Sequence, residues 1–512
     1  MCLMQSSLRS LPGKLLCPWL VLAAGTALAD VRLPAVFSDH AVLQRDATVP
    51  VWGWAAPGEE VTVSVAGQSR ITKADQQGKW RVDFTNLKAG GPHALTVKGK
   101  NTVTINDVLI GEVWLGSGQS NMAMAVNRAN DFEREAASAN HPQIRMFTVT
   151  SGPSRTAQAD CKGTWEICSP ESVARFSATA YFFGREIHKA LNVPVGLINS
   201  SVGGTPIESW IDAEAQRALP ELKGFFDMQK AEDAKFDAVA AKAKYERDLA
   251  AWKEKSKAAK AEGKKAPAAP RDPVALRERK GDVGGLFNGK IAPLIPYAIR
   301  GALWYQGEAN SQDPKAPFYE HQLPLLVKDW RAKWGYVFPF AWVQLPNFTR
   351  AGEGWMLVRE AMLKSLSVPK TGMAITIDIG DPKDIHPKNK QDVGKRLAGW
   401  ALATVYGQKG VAASGPLPEG HQVASGRIEI TFKHADSGLV AKDGELKGFE
   451  IAGTDGQWKP ARAEIAGNKV LVSSTEVAQP KFVRYAWKDN PDCNLYNGAG
   501  LPASPFRLVP KN

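Results

Sequence analysis

Ser120 lies in the run Gly118-Gln119-Ser120-Asn121-Met122, just after the apolar stretch 108–115. Far downstream, Asp384-Ile385-His386-Pro387 follows a second apolar stretch, 373–379. A serine hydroxyl is a weak nucleophile at neutral pH. It needs a base within hydrogen-bond reach, most often a histidine that a third group orients. Open α/β sheets build their sites outside the carboxyl ends of their strands. Ser120 and His386 therefore suit acyl transfer, with Asp384 as the nearest acid. The serine run is not the G-x-S-x-G elbow of α/β-hydrolases, because Met122 stands where that turn has its second glycine. Asp384 and His386 also share one loop. A sheet with serine after its first strand, and acid and histidine after its last, fits these positions.

The elements that must hold these residues follow from patterning. Between 108 and about 406, strand-like apolar runs are expected at 108–115, 194–199, 299–305, 339–345 and 372–379. Helical patterns fall at 170–190, 318–334, 355–367 and 387–405, the last with Pro387 at its first position. This alternation predicts a parallel sheet covered on both faces, an α/β fold. Each expected strand ends in a polar cluster, at 117–121, 200–205, 306–310, 346–349 and 381–386. Residues 30–107 carry short alternating runs separated by glycine-rich turns, the pattern of a small β-sandwich. A β pattern returns over 407–512 as a second β domain. The Ala-, Lys- and Glu-rich stretch 228–266, with Tyr245, Leu249 and Trp252 at helical spacing, reads as a helical insertion in the 108–406 domain.

Composition narrows the function classes. A chain of 512 residues with 44% hydrophobic residues is globular and long enough for about three domains at roughly 150 residues each. Residues 1–29 read as a signal peptide: basic Arg9 and Lys14, an apolar run from Leu15, and the cleavage-type Ala27-Leu28-Ala29. The apolar run is shorter than the roughly 20 residues that span a bilayer. A periplasmic or secreted chain, off the membrane after cleavage, is expected. The net charge is +12, and residues 227–281 hold fifteen Lys/Arg against ten Asp/Glu. These charges alternate in sign along a helical pattern, which favours a solvated helical face over a nucleic-acid surface. Cys161 and Cys168 flank a short loop, and an oxidising compartment permits a disulfide between them, leaving Cys493 unpaired. No Cys/His cluster has zinc spacing, so neither metal nor cofactor is expected.

Four segments together resemble one family: Gly118-Gln119-Ser120-Asn121-Met122, Gly203-Gly204-Thr205-Pro206-Ile207-Glu208-Ser209-Trp210, Trp304-Tyr305-Gln306-Gly307-Glu308-Ala309-Asn310 and Asp384-Ile385-His386-Pro387. In order and type they are similar to sialate O-acetylesterases, which are SGNH (GDSL-like) hydrolases. The resemblance runs on to Cys493-Asn494-Leu495-Tyr496-Asn497. It implies a three-layer α/β/α SGNH domain with β units at both ends. It also implies Ser120 as nucleophile, His386 as base, and an oxyanion hole from the Ser120 N–H, a glycine of the Gly203-Gly204 pair (Gly204) and the Gln306 side chain. A preorganised donor of this kind is worth on the order of 3 kcal/mol. Glu308 is placed to lock the Gln306 amide. Two positions depart from the general SGNH pattern. Gln306-Gly307-Glu308 replaces the asparagine of the third block, and the acid stands two residues before His386, where Lys383 holds the usual place. The orienting group is therefore Asp384, Asp381, or a backbone carbonyl serving a Ser–His dyad.

The reading that follows is an exported serine esterase removing O-acetyl groups from sialic acid, with an acetylated carbohydrate as its partner. The alternatives are an acetylesterase of xylan or another plant polysaccharide, and a non-catalytic carbohydrate-binding protein. Trp210, Trp304, Tyr496 and Asn497 are of types that stack on or bind sugars. The sequence leaves the sugar, the acetyl position and the oligomeric state open.

Overall fold

In the computed structural model, residues 30–280, 282–312 and 314–509 are described. The expected signal peptide, 1–29, lies outside them.

The N-terminal unit contains β1 (Val42–Gln44), β2 (Val49–Trp54), β3 (Glu60–Val65), β4 (Gln68–Lys73), β5 (Lys79–Phe84) and β6 (Gly90–Lys98). They feed into β7, a 17-residue strand from Thr102 to Gly118. The first half of β7 pairs antiparallel with β6. Its second half runs parallel to β1 and enters the central sheet. The division expected between 107 and 108 thus falls inside one strand. Asn106-Asp107 carries a turn-like signal because the ladder bulges there, with Asp107 at φ +54°.

The central sheet adds β8 (His141–Thr148), β9 (Trp165–Cys168), β10 (Val195–Ser201), β11 (Gly301–Tyr305), β12 (Phe340–Val343) and β13 (Thr371–Ala374). Their order is β13-β12-β11-β7-β10-β8-β9. Every pair is parallel except β8–β9. The chain builds outward from β7 on one side, then on the other, so the strand order reverses there and a crevice opens at its carboxyl end.

Period-two alternation decides which core each strand residue enters. Val113, Leu115, Trp304 and Trp342 join one face, and Trp114, Leu303, Tyr305 and Val343 the other. Short helices α1 (Ser120–Ala123), α2 (Phe132–Ala137) and α3 (Pro170–Val173) precede α4 (Ala178–Leu191). Then come α5 (Ala213–Arg217), α6 (Lys223–Lys235), α7 (Ala238–Ala261), α8 (Pro273–Lys280), α9 (Tyr319–Trp334), α10 (Glu353–Lys364) and α11 (Lys390–Thr404). Helices α4 and α11 cover one face through Phe182, Phe183, Leu397 and Trp400. Helices α9 and α10 cover the other through Leu326, Trp330, Val358 and Met362, in a core continuous with the N-terminal unit. This is the expected three-layer α/β/α arrangement. Helices α6 and α7 form the insertion, and α7 buries no residue.

Strands beyond 407 form two four-stranded sheets and a two-stranded one. Ile430, Val470, Ile451, Val483 and Phe506 fill the core between them. Arg359, fully buried on α10, ties this unit down. Its guanidinium donates to the Leu345 and Pro346 carbonyls and to Lys488 O and Asp489 O across the boundary. At the other end Glu112, fully buried in β7, takes Arg45 at 2.5 Å and Arg300 at 2.7 Å.

Three local expectations are corrected. The last strand stops at Ala374. Beyond it the Ile375 carbonyl accepts from the Arg396 side chain, and the Thr376 hydroxyl donates to Gln344 O, so side chains replace the ladder. Helix α11 starts at Lys390, not Pro387. Asn389 caps it by accepting from Asp392 N and donating back to the Asp392 carboxylate, which leaves His386 on an irregular loop. Finally, Cys161 and Cys168 are not bonded. They belong to the cores on opposite faces of the sheet, and burial pushes both thiols up to about 12. Cys168 ends β9, while Cys161 lies on the segment before that strand.

Candidate active site

The carboxyl end of β7 closes in a constrained turn. Gly118 sits at φ +132°, and a Cβ there would lie 2.2 Å from the Tyr305 carbonyl oxygen, so only glycine fits. Gln119 N–H then donates to that same oxygen, and α1 begins at Ser120. The loop after β10 packs against it: a Cβ on Gly203 would stand 3.3 Å from Ser120 Cβ. Among the described residues, neither the Ser120 nor the Gly204 backbone N–H is spent on a hydrogen bond.

His386 approaches from the loop before α11. Its Nε2 lies 2.8 Å from Ser120 Oγ, within reach for proton transfer. Burial depresses the imidazole's pKa. Arg128 and Lys390 push it the same way, and Asp384 opposes them. At neutral pH the ring is therefore a neutral acceptor. Asp384 stands less firmly than a buried triad acid. Its Oδ1 is 3.7 Å from Nδ1, too long for a hydrogen bond, and half of its side chain is exposed. That oxygen accepts the His386 backbone N–H at 2.9 Å instead. Asp381 accepts the Lys383 N–H and forms a turn of its own.

Gln306 is fully buried and its amide is spent. Nε2 donates to Thr205 O at 3.2 Å and Asn310 Oδ1 at 2.6 Å, and Oε1 accepts from the Tyr319 hydroxyl. The first bond ties the loop after β10 to the loop after β11 and the second stays within the loop after β11, so both amide donors are already used. Glu308 does not lock Gln306; Asn310 does. Glu308 instead accepts from Asn121 Nδ2 at 2.5 Å. Trp210 and Trp304 pack edge to face in the core with no exposure, and Asn497 is buried, so none of the three can meet a sugar. Tyr496 is half-buried, with its hydroxyl 3.4 Å from Asp378.

Several residues at the site carried no signal in the sequence. Lys390 is fully buried and donates to Asn121 Oδ1 at 2.7 Å. Arg128 closes the 3₁₀ turn Val126–Arg128, which is docked beside the histidine loop because Asn130 N–H donates to Lys388 O. Its backbone N–H donates to Ala125 O, and its exposed guanidinium makes no hydrogen bond or ion pair among the described residues. A cavity of 940 Å³ opens beyond Pro206 and Glu208, walled on its far side by Phe226, Lys230 and Phe236 of the insertion. Among the described residues no cluster of His, Cys, Asp and Glu could hold a metal ion, and no helix is long and apolar enough to cross a membrane.

Comparison with known proteins converges on one family. The family model for carbohydrate esterases described as sialic acid-specific acetylesterases matches residues 110–250 and 289–403. Sialate O-acetylesterase of Homo sapiens is 28% identical, covering 96% of this chain and 95% of that relative. The Rattus norvegicus protein of that name is 29% identical, covering 93% and 94%. Among solved structures, a carbohydrate acetylesterase from Xanthomonas citri is 36% identical with a TM-score of 0.80, covering 94% of this chain and all of that one.

Proposed function

We propose that this chain, which belongs to the sialic acid-specific acetylesterase family of carbohydrate esterases and is a carboxylic ester hydrolase, is an exported serine esterase that removes O-acetyl groups from sialic acid. The contact of Ser120 Oγ with His386 Nε2 at 2.8 Å carries the mechanism. Ser120 Oγ attacks the acetyl carbonyl carbon as His386 Nε2 takes its proton. The oxyanion is held by the unspent N–H groups of Ser120 and Gly204. Gln306 ties the Gly204 loop to the loop after β11 through Thr205 O. The imidazolium returns the proton to the departing sugar oxygen, leaving acetyl-Ser120. Water then gives a proton to His386 and attacks the acyl carbon; the acyl–Oγ bond breaks, His386 returns that proton to Ser120 Oγ, and acetate leaves. Asp384 steadies the imidazolium through its charge.

Export rests on the leader-type residues 1–29. The sugar assignment rests on the relatives and on Arg128, an exposed guanidinium beside the base with no ion pair among the described residues. A sialic acid carries a carboxylate, and a guanidinium binds one through parallel N–H bonds. Acetate release from acetylated sialic acids and from acetylated xylo-oligosaccharides, each with wild type and Ser120→Ala, tests both parts. Ser120→Ala should lose about 10⁴-fold or more while staying folded. Activity within tenfold of wild type would end the serine reading. A preference for the neutral xylo-oligosaccharides would replace sialic acid by a plant polysaccharide.

A further inference from the structure

We propose that Asn121, oriented by Lys390 and Glu308, is the positioning residue that sets His386 against Ser120, an inference resting on the serine-esterase reading. Asn121 follows the nucleophile directly and is fully buried. Its Nδ2 group spends one donor on the Ile385 carbonyl at 3.0 Å, the peptide that leads into His386, and the other on Glu308 Oε1. Its Oδ1 accepts from Lys390 Nζ. One amide therefore links the loops after β7, after β11 and before α11. Two of those loops lie more than 260 residues apart in sequence.

An asparagine amide can flip, and a flip here would turn Oδ1 onto the Ile385 carbonyl, acceptor against acceptor. While charged, Lys390 and Glu308 oppose it, because an ammonium can only donate and a carboxylate can only accept; burial brings the Lys390 pKa down to about 7 and raises that of Glu308, and each charge offsets the shift in the other. Burying these charges is unfavourable, and the fold spends few other bonds on them. Among the described residues the second Glu308 oxygen has no hydrogen-bond partner, and the Lys390 ammonium's other contact is the Tyr305 ring face, at 5.0 Å. A pair kept solely for stability would be better satisfied or replaced by apolar packing. The location, one residue from the nucleophile and one from the base, gives it a different use.

Lys390 acts on the base a second way. The groups facing His386 are Asp384 on its own loop, Arg128 on the neighbouring turn, and Lys390. Those facing Lys390 are Glu308, Asp384 and Arg128. Removing Lys390 removes a cation that disfavours the imidazolium.

The test uses the full chain and a small acetyl ester. Lys390→Met should remain folded with KM within about twofold, while kcat falls about 100-fold, the scale of a catalytic group displaced by about 1 Å. The acid limb of kcat/KM should move to higher pH, which lost packing alone would not cause. A wild-type kcat with an unmoved acid limb would overturn the proposal. So would losses in kcat and melting temperature that restoring folding conditions cures together. If Lys390→Met does not fold, Glu308→Gln and Glu308→Ala decide. Glutamine keeps the Oε1 acceptor for Asn121 and should turn over at least tenfold faster than alanine; equal rates would overturn the clamp. Ser120→Ala run alongside separates the readings. If it is inactive while the Lys390 and Glu308 variants are normal, only the positioning inference fails; if it is active, the serine-esterase reading fails.

Discussion

Asp384→Asn isolates the charge that supports the base. Asparagine keeps an Oδ1 to accept the His386 backbone N–H, a bond of 2.9 Å, so the loop should hold its shape. What is lost is an anion 3.7 Å from Nδ1. At that separation a full pair is worth about 1 kcal/mol in water and about 4 kcal/mol at an effective dielectric near 20. With 51% of the Asp384 side chain exposed, solvent screening favours the lower end. The expected loss in kcat/KM is therefore about 5- to 10-fold, against the roughly 10⁴-fold seen when a buried, directly bonded triad aspartate is neutralised. The sign of the pH effect is also fixed. Asp384 raises the imidazole pKa, so neutralising it lowers that pKa and moves the acid limb of kcat/KM to lower pH. Initial rates on p-nitrophenyl acetate across pH 4–9 read both quantities. A loss of about 10³-fold or more, with the fold intact, would refute the reasoning: the carboxylate would then close onto Nδ1 once substrate is bound.

Further outcomes follow from other parts of the structure. Arg128→Gln should raise KM for acetylated sialic acids several-fold and leave a neutral acetyl ester unaffected; an equal change on both would remove Arg128 from the sugar site. Thiol labelling of native protein should leave Cys161 and Cys168 unmodified, and labelling after unfolding without reductant should modify both; a 161–168 peptide link in the mass spectrum would contradict their placement on opposite faces of the sheet. Deleting α7 should keep the rate on a small ester within a few-fold, because that helix buries nothing; a folded but inactive variant would show that it shapes the site.

The central strands were legible in the sequence because a buried strand writes its two faces into alternate residues, as Val113, Trp114 and Leu115 do. Ser120 and His386 were legible because each sits in a polar cluster after such a strand. The roles of Gln306, Glu308 and Asn310 were not. Their types were evident, but in a tight turn neighbouring side chains diverge, and which loop each one meets is decided by chain more than 100 residues away. Lys390 looked like one more basic residue on a helix; only the packing of α11 onto the sheet hides it. The Cys161–Cys168 spacing suggested a bridge because linear distance does not reveal that the two residues belong to different cores.

The single run of backbone from Thr102 to Gly118 has a consequence for how the molecule opens. There is no linker between the N-terminal unit and the nucleophile's sheet, so the two cannot part by a hinge. Separating them means breaking the β7 ladders, which exposes the edges of β6, β1 and β10 together. Amide exchange along β7 should therefore be slow and uniform from Val103 to Leu115, released only by global unfolding. A protease would find no early cut near residue 107, and a fragment starting at 108 would emerge with raw strand edges prone to self-association.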